Sequence, residues 1–454
     1  MTTLADRLAS VVPFGVRGTV AEVVGPTLAA RGLPVPLGAE CRVTTGGGAT
    51  LTAEVVGFRG DRTLLLVDEP PRGVRRGDAV ELVRSCGDVP AGEALLGRVL
   101  DARGRPVDGR PAPTLADFTP LEPPPLRSLD RPPIDTPFET GLRAVDGLLT
   151  LGRGQRVGLF AGSGVGKSTL LGQIVRGGDA EVNVVVLVGE RGREVREFLE
   201  RDLGPEGLAK SVVVVATGDE SPLRRMRAAR YGTALAEYFR DAGRDVLLVA
   251  DSVTRFAYAA REVALAAGEP PATRGFPPSV FAALPQLLER SGRTDRGTIT
   301  AIYTVLVEGD DLQDPVADSV RGTLDGHVVL SRKLVERAHW PAVDVPASLS
   351  RLMPQLAGEP HRLAADAMRR GLSAYRDQED LVSIGAYQRG SDRDLDAFLA
   401  HRDEIDAFLT QRVDERSDAA ETVAALADLR ARLGNAAIAA AAAARPAPPA
   451  GEAA

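Results

Sequence analysis

The sequence predicts an α/β protein built on a parallel β-sheet covered by helices, with a small β-barrel before it and a helical region after it. Short apolar runs punctuated by glycine and proline fill residues 15–84, a pattern typical of a small barrel. From about Gly141 onward, continuous apolar runs alternate with helical spacing, which is typical of parallel strands buried on both faces. After Pro354 no strand pattern remains, and charged helical segments such as residues 392–416 follow.

The barrel prediction rests on three strand-like runs, at residues 19–24, 51–56 and 63–67. Residues 107–137 are rich in proline, which cannot continue a helix or a central strand, so they are predicted to form an extended connector. Five buried strands are predicted for the sheet, at residues 156–160, 182–188, 212–216, 245–250 and 299–305.

These patterns divide the chain into four regions. We expect an N-terminal segment with the barrel at 1–90, the sheet domain at 91–355, a helical domain at 356–445 and a disordered tail at 446–454. The tail combines prolines with alanines, a composition that cannot bury a core. Residues 4–12 have helical spacing, and either a binding segment or a frayed terminus fits them.

Composition excludes several classes of protein. The 454 residues carry a formal net charge of -7, which disfavours a protein that coats nucleic acid. The two cysteines, Cys41 and Cys86, are too far apart for a redox pair or a zinc knuckle, and the four histidines lack metal-ligand spacing. Neither a secretory signal nor an apolar run long enough to span a bilayer is present, so we expect a cytoplasmic protein.

A phosphate-binding loop is predicted between the first strand of the sheet and the helix after it. Its residues are Ala161, Gly162, Ser163, Gly164, Val165, Gly166, Lys167, Ser168 and Thr169. Glycines let backbone N–H groups turn toward phosphate oxygens, and the helix N-terminus adds its dipole. Lys167 is predicted to contact the β- and γ-phosphates of ATP, and Ser168 to bind Mg²⁺. Ala161 departs from the strict pattern, which has glycine there; a chance glycine-rich turn is the alternative.

Two carboxylates follow other predicted strands. Asp251 comes directly after residues 245–250 and is predicted to bind Mg²⁺ as a Walker B acid, although an aspartate at this position is often just a helix N-cap. Glu190 follows residues 184–188 and is placed to polarise the attacking water. A surface ion pair within residues 190–197 is the alternative for Glu190.

In order and spacing, the motifs resemble those of the catalytic subunits of rotary ATPases and, among them, the ATPases of flagellar and type III protein export. The resemblance rests on residues 162–169, 189–191, 251–256 and 341–351 and extends over nearly the whole chain. It implies a RecA-like P-loop core and Mg-dependent hydrolysis of ATP. Residues 384–392 are similar to the helical-domain signature of the export branch.

The resemblance also implies roles for single residues. Glu190 would activate water, and Arg191 and Arg255 would lie near the γ-phosphate. Arg351 would be an arginine finger that reaches the nucleotide of a neighbouring subunit. Because one chain then carries both halves of an interfacial site, the resemblance implies a homohexamer.

Three aromatic or basic features have two interpretations each. By the resemblance, Trp340 takes the place of the tyrosine that the family usually stacks on adenine, and a buried core tryptophan is the alternative. Phe408 closes the other side of the adenine, or it is a core residue on the apolar face of an amphipathic helix. A basic run is interpreted as a solvated helix face, with a subunit interface or pore as the alternative; it comprises Arg224, Arg225, Arg227 and Arg230.

Partners follow from the resemblance as well. It implies a stator dimer, a coiled-coil central stalk, export chaperones with their substrates and a membrane export gate, but no nucleic acid. The ATPase would lie at the inner face of the cell membrane and release chaperones or unfold substrates. Three alternatives stay open: a virulence-type rather than flagellar system, a termination-factor-like RNA translocase, and a non-catalytic nucleotide-binding subunit of another rotary ATPase.

Overall fold

The computed structural model of the chain describes residues 15–85, 87–307 and 314–443. The segment at 4–12 and the predicted tail at 446–454 therefore lie outside the described residues. The chain divides into two compact units. The first comprises Met1–Ile134, Arg153–Ser163 and Ala180–Leu324, and the second comprises Asp135–Gly152, Gly164–Asp179 and Asp325–Ala454.

The first unit begins with a closed barrel of six antiparallel strands in the order β1-β2-β5-β4-β3-β6. Alternate side chains of these strands fill its interior, among them Leu28, Val43 and Leu65. The three predicted runs are β1, β4 and β5, and the barrel prediction is confirmed. The strands are β1 Arg17–Val24, β2 Thr27–Arg31, β3 Glu40–Thr44, β4 Thr50–Arg59, β5 Arg62–Val67 and β6 Ala79–Arg84.

The rest of the first unit is built on six parallel strands in the order β12-β17-β15-β13-β14-β8. All seven residues of β13 are buried, as expected for a strand covered on both faces. The five predicted strands are present, whereas β8 was not predicted. The strands are β8 Arg98–Asp101, β12 Arg156–Ala161, β13 Val182–Val188, β14 Ser211–Ala216, β15 Asp245–Asp251 and β17 Thr298–Leu306.

Helices and three short strands complete this unit. The helices are α3 Gly192–Glu197, a π-helical turn Phe198–Leu203, α4 Gly204–Ala209, α5 Pro222–Asp241, α6 Val253–Ala267, α7 Pro278–Leu288 and α8 Pro315–Thr323. The short strands are β7 Asp88–Ala91, β9 Asp117–Pro120 and β16 Gly292–Arg293, and the 3₁₀ turns are Glu93–Leu95, Ser128–Asp130 and Thr273–Gly275.

The second unit is mainly helical, which confirms the predicted helical C-terminal region. Its longest helices, α11 and α14, pack against each other and against α12. Its helices are α1 Arg143–Leu148, α2 Lys167–Gly177, α9 Arg332–Glu336, α10 Met353–Leu356, α11 Glu359–Ser383, α12 Arg393–Ala400, α13 Arg402–Leu409 and α14 Ala419–Ala443. Two antiparallel strand pairs belong to it, β10 Pro137–Phe138 with β11 Leu151–Gly152, and β18 Gly326–Val329 with β19 Leu349–Ser350. No helix among the described residues is long and apolar enough to cross a bilayer.

The basic run on α5 is not a solvated face, which corrects the prediction. Arg224 Nε lies 3.5 Å from Asp68 of the barrel, and Arg230 Nε lies 2.9 Å from Glu122. Arg225 pairs with an exposed glutamate of α6 at 3.0 Å. Burial lowers the pKa of Arg227 below its usual range. These arginines therefore join α5 to other parts of the same unit, which the local charge pattern cannot reveal.

The close packing of α5 on the sheet gives a stability prediction. A Cβ on Gly232 would lie 2.1 Å from Cγ2 of Val186 in β13, so the Gly232→Ala variant must displace the strand or the helix. We expect it to lower the free energy of unfolding by about 1–3 kcal/mol, as overpacked cores do. Denaturant titration measures the change.

The matched control is Gly322→Ala in α8, where a Cβ would meet nothing within 4 Å. Because alanine favours helix, we expect this variant to be neutral or to gain up to about 1 kcal/mol. Equal unfolding midpoints for the two variants would contradict the packing that we describe.

Candidate active site

Three strands bring candidate residues to one edge of the sheet. β12 ends at Ala161, where the predicted phosphate loop begins, β15 ends at Asp251, and β13 ends two residues before Glu190. All three strands run parallel within the same sheet. Their carboxyl ends therefore lie at the same edge, which is where ligands bind in open α/β sheets.

The loop after β12 contains two glycines in a conformation that suits the predicted phosphate-binding loop. Gly164 and Gly166 have φ values of 76° and 84°, which side-chain-bearing residues rarely adopt. Helix α2 begins at Lys167, directly after this turn, and its N-cap residue Gly166 has no side chain to cap the first N–H groups. Ser168 is exposed in the first turn. The strand, loop and helix context predicted from the sequence is present, and it suits an anion.

Asp251 is buried, with 3% of its surface exposed, and Thr304 Oγ1 donates a hydrogen bond of 2.6 Å to its Oδ1. Ser252, not Asp251, is the N-cap of α6, because its Oγ accepts from Arg255 N at 3.3 Å. The N-cap interpretation of Asp251 is therefore wrong. Sequence reasoning missed Thr304, although a polar residue inside a buried apolar strand was a usable signal.

The Arg255 side chain packs against the backbone next to Glu190. Gly189 has a φ of 76°, and a Cβ there would lie 2.8 Å from both Cβ and Cγ of Arg255. The Arg255 stem therefore crosses the chain beside Glu190, which is half-buried. Arg255 Nε is buried and finds no hydrogen-bond partner among the described residues, so it suits an anionic ligand. The Arg191 side chain, in contrast, is 86% exposed and pairs with Glu194 at 3.3 Å.

Two aromatic residues of the second unit have different surroundings. A Cβ on Gly166 would lie 2.6 Å from Cζ3 of Trp340, so the indole covers the end of the phosphate loop. Trp340 is 40% exposed, so the interpretation as a core tryptophan is wrong. Phe408 is only 6% exposed and packs over Gly147, where a Cβ would lie 3.2 Å from its Cζ. Phe408 therefore belongs to the core and not to an adenine pocket.

Arg351 lies directly after β19 and its side chain is exposed. Its backbone N donates to Asp325 O at 3.1 Å, which fixes the main chain while leaving the guanidinium at the surface.

No cluster of three or more histidine, cysteine, aspartate or glutamate side chains suited to a metal occurs in the described ranges. The predicted Mg²⁺ ligands are instead one hydroxyl, of Ser168, and one carboxylate, of Asp251. Oxygen donors of this kind suit Mg²⁺, which keeps several waters and binds phosphate oxygens.

Comparison with known families gives three matches along the chain. Residues 20–83 match the beta-barrel domain of the ATP synthase alpha/beta family, and residues 141–350 match its nucleotide-binding domain. Residues 357–428 match the C-terminal domain of the type III secretion ATPase EscN. The three matches follow the order of the barrel, the sheet and the helical region.

Relatives of two kinds are similar over nearly the full length. The flagellum-specific ATP synthase of Salmonella typhimurium is 50% identical over 421 residues, which cover 90% of this chain and 92% of the relative. The type 3 secretion system ATPase of Xanthomonas euvesicatoria is 51% identical over 420 residues, covering 92% and 94%. The assembled ATPase EscN of the enteropathogenic E. coli type III secretion system has a TM-score of 0.85 and 44% identity, covering 91% and 100%. The chain therefore belongs to the ATP synthase alpha/beta family and, within it, to the ATPases of flagellar and type III protein export.

Proposed function

We propose that the chain hydrolyses ATP with Mg²⁺ at sites shared between adjacent copies of a homohexamer, and that this hydrolysis drives flagellar or type III protein export. The observation that carries the proposal is the sheet edge where β12, β13 and β15 end. There the phosphate loop begins, and Asp251 and Glu190 lie at the ends of neighbouring parallel strands. This is the arrangement that a P-loop ATPase needs for phosphate, metal and water.

Each residue then has one task. Backbone N–H groups of residues 162–169 and the Lys167 ammonium hold the β- and γ-phosphates, and no covalent intermediate is needed. Ser168 and Asp251 would hold Mg²⁺, which neutralises charge on the phosphate oxygens when bound. Thr304 orients the Asp251 carboxylate. Glu190 accepts hydrogen bonds from the attacking water and so orients it.

Positive charge completes the site. Arg255, with its buried and unpartnered Nε, binds the γ-phosphate from the same protomer. Arg191, which is exposed and paired with Glu194, would have to leave that glutamate to approach the γ-phosphate as well. Arg351 is exposed and reaches the nucleotide of the adjacent protomer as an arginine finger. Trp340 stacks its indole on adenine, as its partial exposure beside Gly166 allows.

Export requires partners. A relative, the ATPase EscN, has been solved in complex with its central stalk EscO, at 44% identity and a TM-score of 0.84 to this chain. We therefore expect a coiled-coil stalk to contact this ATPase. A stator dimer, export chaperones with their substrates and a membrane export gate complete the proposal, which places the ATPase at the cytoplasmic face of the membrane.

The direct test of the function is ATP hydrolysis by the purified chain with and without Mg²⁺. Hydrolysis should require Mg²⁺ and should be lost in Lys167→Ala, whereas the matched control Lys333→Ala, an exposed lysine of α9, should be unaffected. Absence of hydrolysis by the isolated chain would favour the non-catalytic subunit instead. In cells, Lys167→Ala should block flagellar assembly in a flagellar system, or secretion of virulence proteins in the other kind.

An RNA translocase has less support. A barrel that binds single strands uses stacked aromatic side chains on a basic surface. In residues 15–84 the sequence has one aromatic residue, Phe58, which is 57% exposed. Filter binding with labelled RNA tests this alternative, and we expect no retention.

Trp340, the only tryptophan of the chain, offers an optical test of nucleotide binding. If the indole stacks on adenine, ATP and ADP should change its emission in a saturable way, and Lys167→Ala should shift the titration to much higher nucleotide concentrations. Lys333→Ala serves as the control. Tryptophan emission that does not change with nucleotide, when equilibrium dialysis shows that nucleotide binds, would contradict the stacking role.

A further inference from the structure

Arg369 lies half-buried on helix α11, and its guanidinium donates hydrogen bonds to backbone carbonyls. Nε and one terminal nitrogen donate to Leu148 O at 3.3 and 3.0 Å, and the other terminal nitrogen donates to Ser348 O at 3.2 Å. Within the described residues it forms no ion pair with a carboxylate. Burial lowers the pKa of Arg369 below its usual range. Asp366 of the same helix raises the pKa of Arg369 in turn, but it forms no ion pair with the guanidinium. Burial of this cation therefore costs desolvation energy, and stability alone is a poor reason for its presence.

The carbonyl of Ser348 belongs to the segment that carries Arg351. This segment is fixed at several points. Ser348 Oγ donates to Asp344 O at 2.6 Å and accepts from Val329 N at 2.9 Å. Ser350 Oγ donates to Thr150 O at 2.8 Å. Arg369 adds a hydrogen bond to the carbonyl of Ser348, three residues before the exposed Arg351.

The hydrogen bonds made by Arg369 and by Ser350 both reach the same short stretch of chain, residues 148–150. Arg369 joins Ser348 to Leu148, and Ser350 binds Thr150, so residues 348–350 are held against residues 148–150. A planar guanidinium with donors in a fixed fork can bridge two carbonyls, whereas an ammonium on a flexible stem holds such a geometry less well. The arrangement fixes the backbone from which the Arg351 side chain projects.

We infer that Arg369 is a positioning residue for hydrolysis, which acts by holding the Ser348 carbonyl and thereby aiming Arg351 at the adjacent protomer. The inference rests on the proposed role of Arg351 in trans. Positioning matters because a misplacement of about 1 Å away from the chemistry can cost about 10²-fold in rate. Arg369 itself does not touch the nucleotide.

The test variant is Arg369→Met, which keeps an unbranched stem and removes every donor. We expect kcat to fall by about 10²-fold, while the affinity for a fluorescent ATP analogue and the assembly state stay unchanged. Arg369→Lys should recover part of the loss. The control is the neighbouring Arg370→Ala, an exposed arginine 3.4 Å from Asp394, which should behave as wild type.

Mixing experiments then separate an effect on the finger from a general loss of structure. Arg369→Met mixed with Lys167→Ala should regain activity, because the Lys167→Ala protomer supplies an intact finger segment to the intact nucleotide site of Arg369→Met. Arg369→Met mixed with Arg351→Ala should regain none, because both defects lie on the same half of the interface.

Recovery with Arg351→Ala instead would place the defect of Arg369→Met at the nucleotide side and overturn the inference. Recovery with neither variant, while the reference pair Arg351→Ala and Lys167→Ala recovers, would overturn it as well. Failure of the reference pair itself would overturn the role of Arg351 in trans, and the inference about Arg369 with it.

Discussion

Replacement of Glu190 by glutamine is expected to lower kcat for ATP hydrolysis by about 10²- to 10⁴-fold, the range that a positioned general base contributes. Affinity for ATP should stay close to the wild-type value. The reason is that the Glu190 carboxylate acts on the attacking water in the transition state, whereas the phosphate loop and Lys167 bind the ground state as well. Single-turnover hydrolysis, with ATP binding measured separately, distinguishes the two effects.

The control for Glu190→Gln is Glu206→Gln, which neutralises an exposed glutamate of α4 in the same unit. This control should hydrolyse ATP at the wild-type rate. Wild-type turnover in Glu190→Gln would remove the residue from the mechanism and leave the surface ion-pair interpretation in its place.

The Arg351→Ala variant should be nearly inactive and still bind ATP. Arginine fingers supplied in trans contribute about 10³–10⁵ in turnover in related phosphoryl-transfer systems. Because the Arg351 side chain is exposed after β19, its removal should disturb neither the fold nor the nucleotide site of its own protomer. Activity of the wild type should also rise with protein concentration as protomers assemble.

Steady-state hydrolysis and a nucleotide-binding titration measure this prediction. Arg370→Ala is the matched control, since it removes an exposed arginine from the same unit without touching the segment that carries Arg351. Loss of ATP affinity in Arg351→Ala, or turnover within a few fold of wild type, would contradict the assignment.

The sequence was sufficient for the elements that depend on local pattern. Continuous apolar runs predicted the five strands of the sheet because strands buried on both faces exclude polar side chains. Glycines at 164 and 166 predicted the phosphate loop, since their positive φ values are strained for other residues. The edge at which Asp251 and Glu190 lie then followed from the parallel arrangement of the strands.

Features that depend on distant contacts could not be predicted. β8 joins the sheet beside β14 although more than a hundred residues separate them, and a four-residue strand has too weak a pattern to identify alone. The partner of Arg224 is Asp68 of the barrel, which no helical periodicity indicates. Trp340 and Phe408 are both aromatic, and only packing separates the exposed indole beside Gly166 from the buried ring over Gly147.

The central claim is that one chain supplies both halves of each ATPase site, and mixing two inactive variants tests it most directly. Arg351→Ala and Lys167→Ala should each be inactive alone. Mixed at concentrations at which protomers exchange, some interfaces pair the intact phosphate loop and Glu190 of one variant with the intact Arg351 of the other, and activity should return. If exchange is demonstrated by a labelled protomer and the mixture remains as inactive as its components, the shared-site account is contradicted.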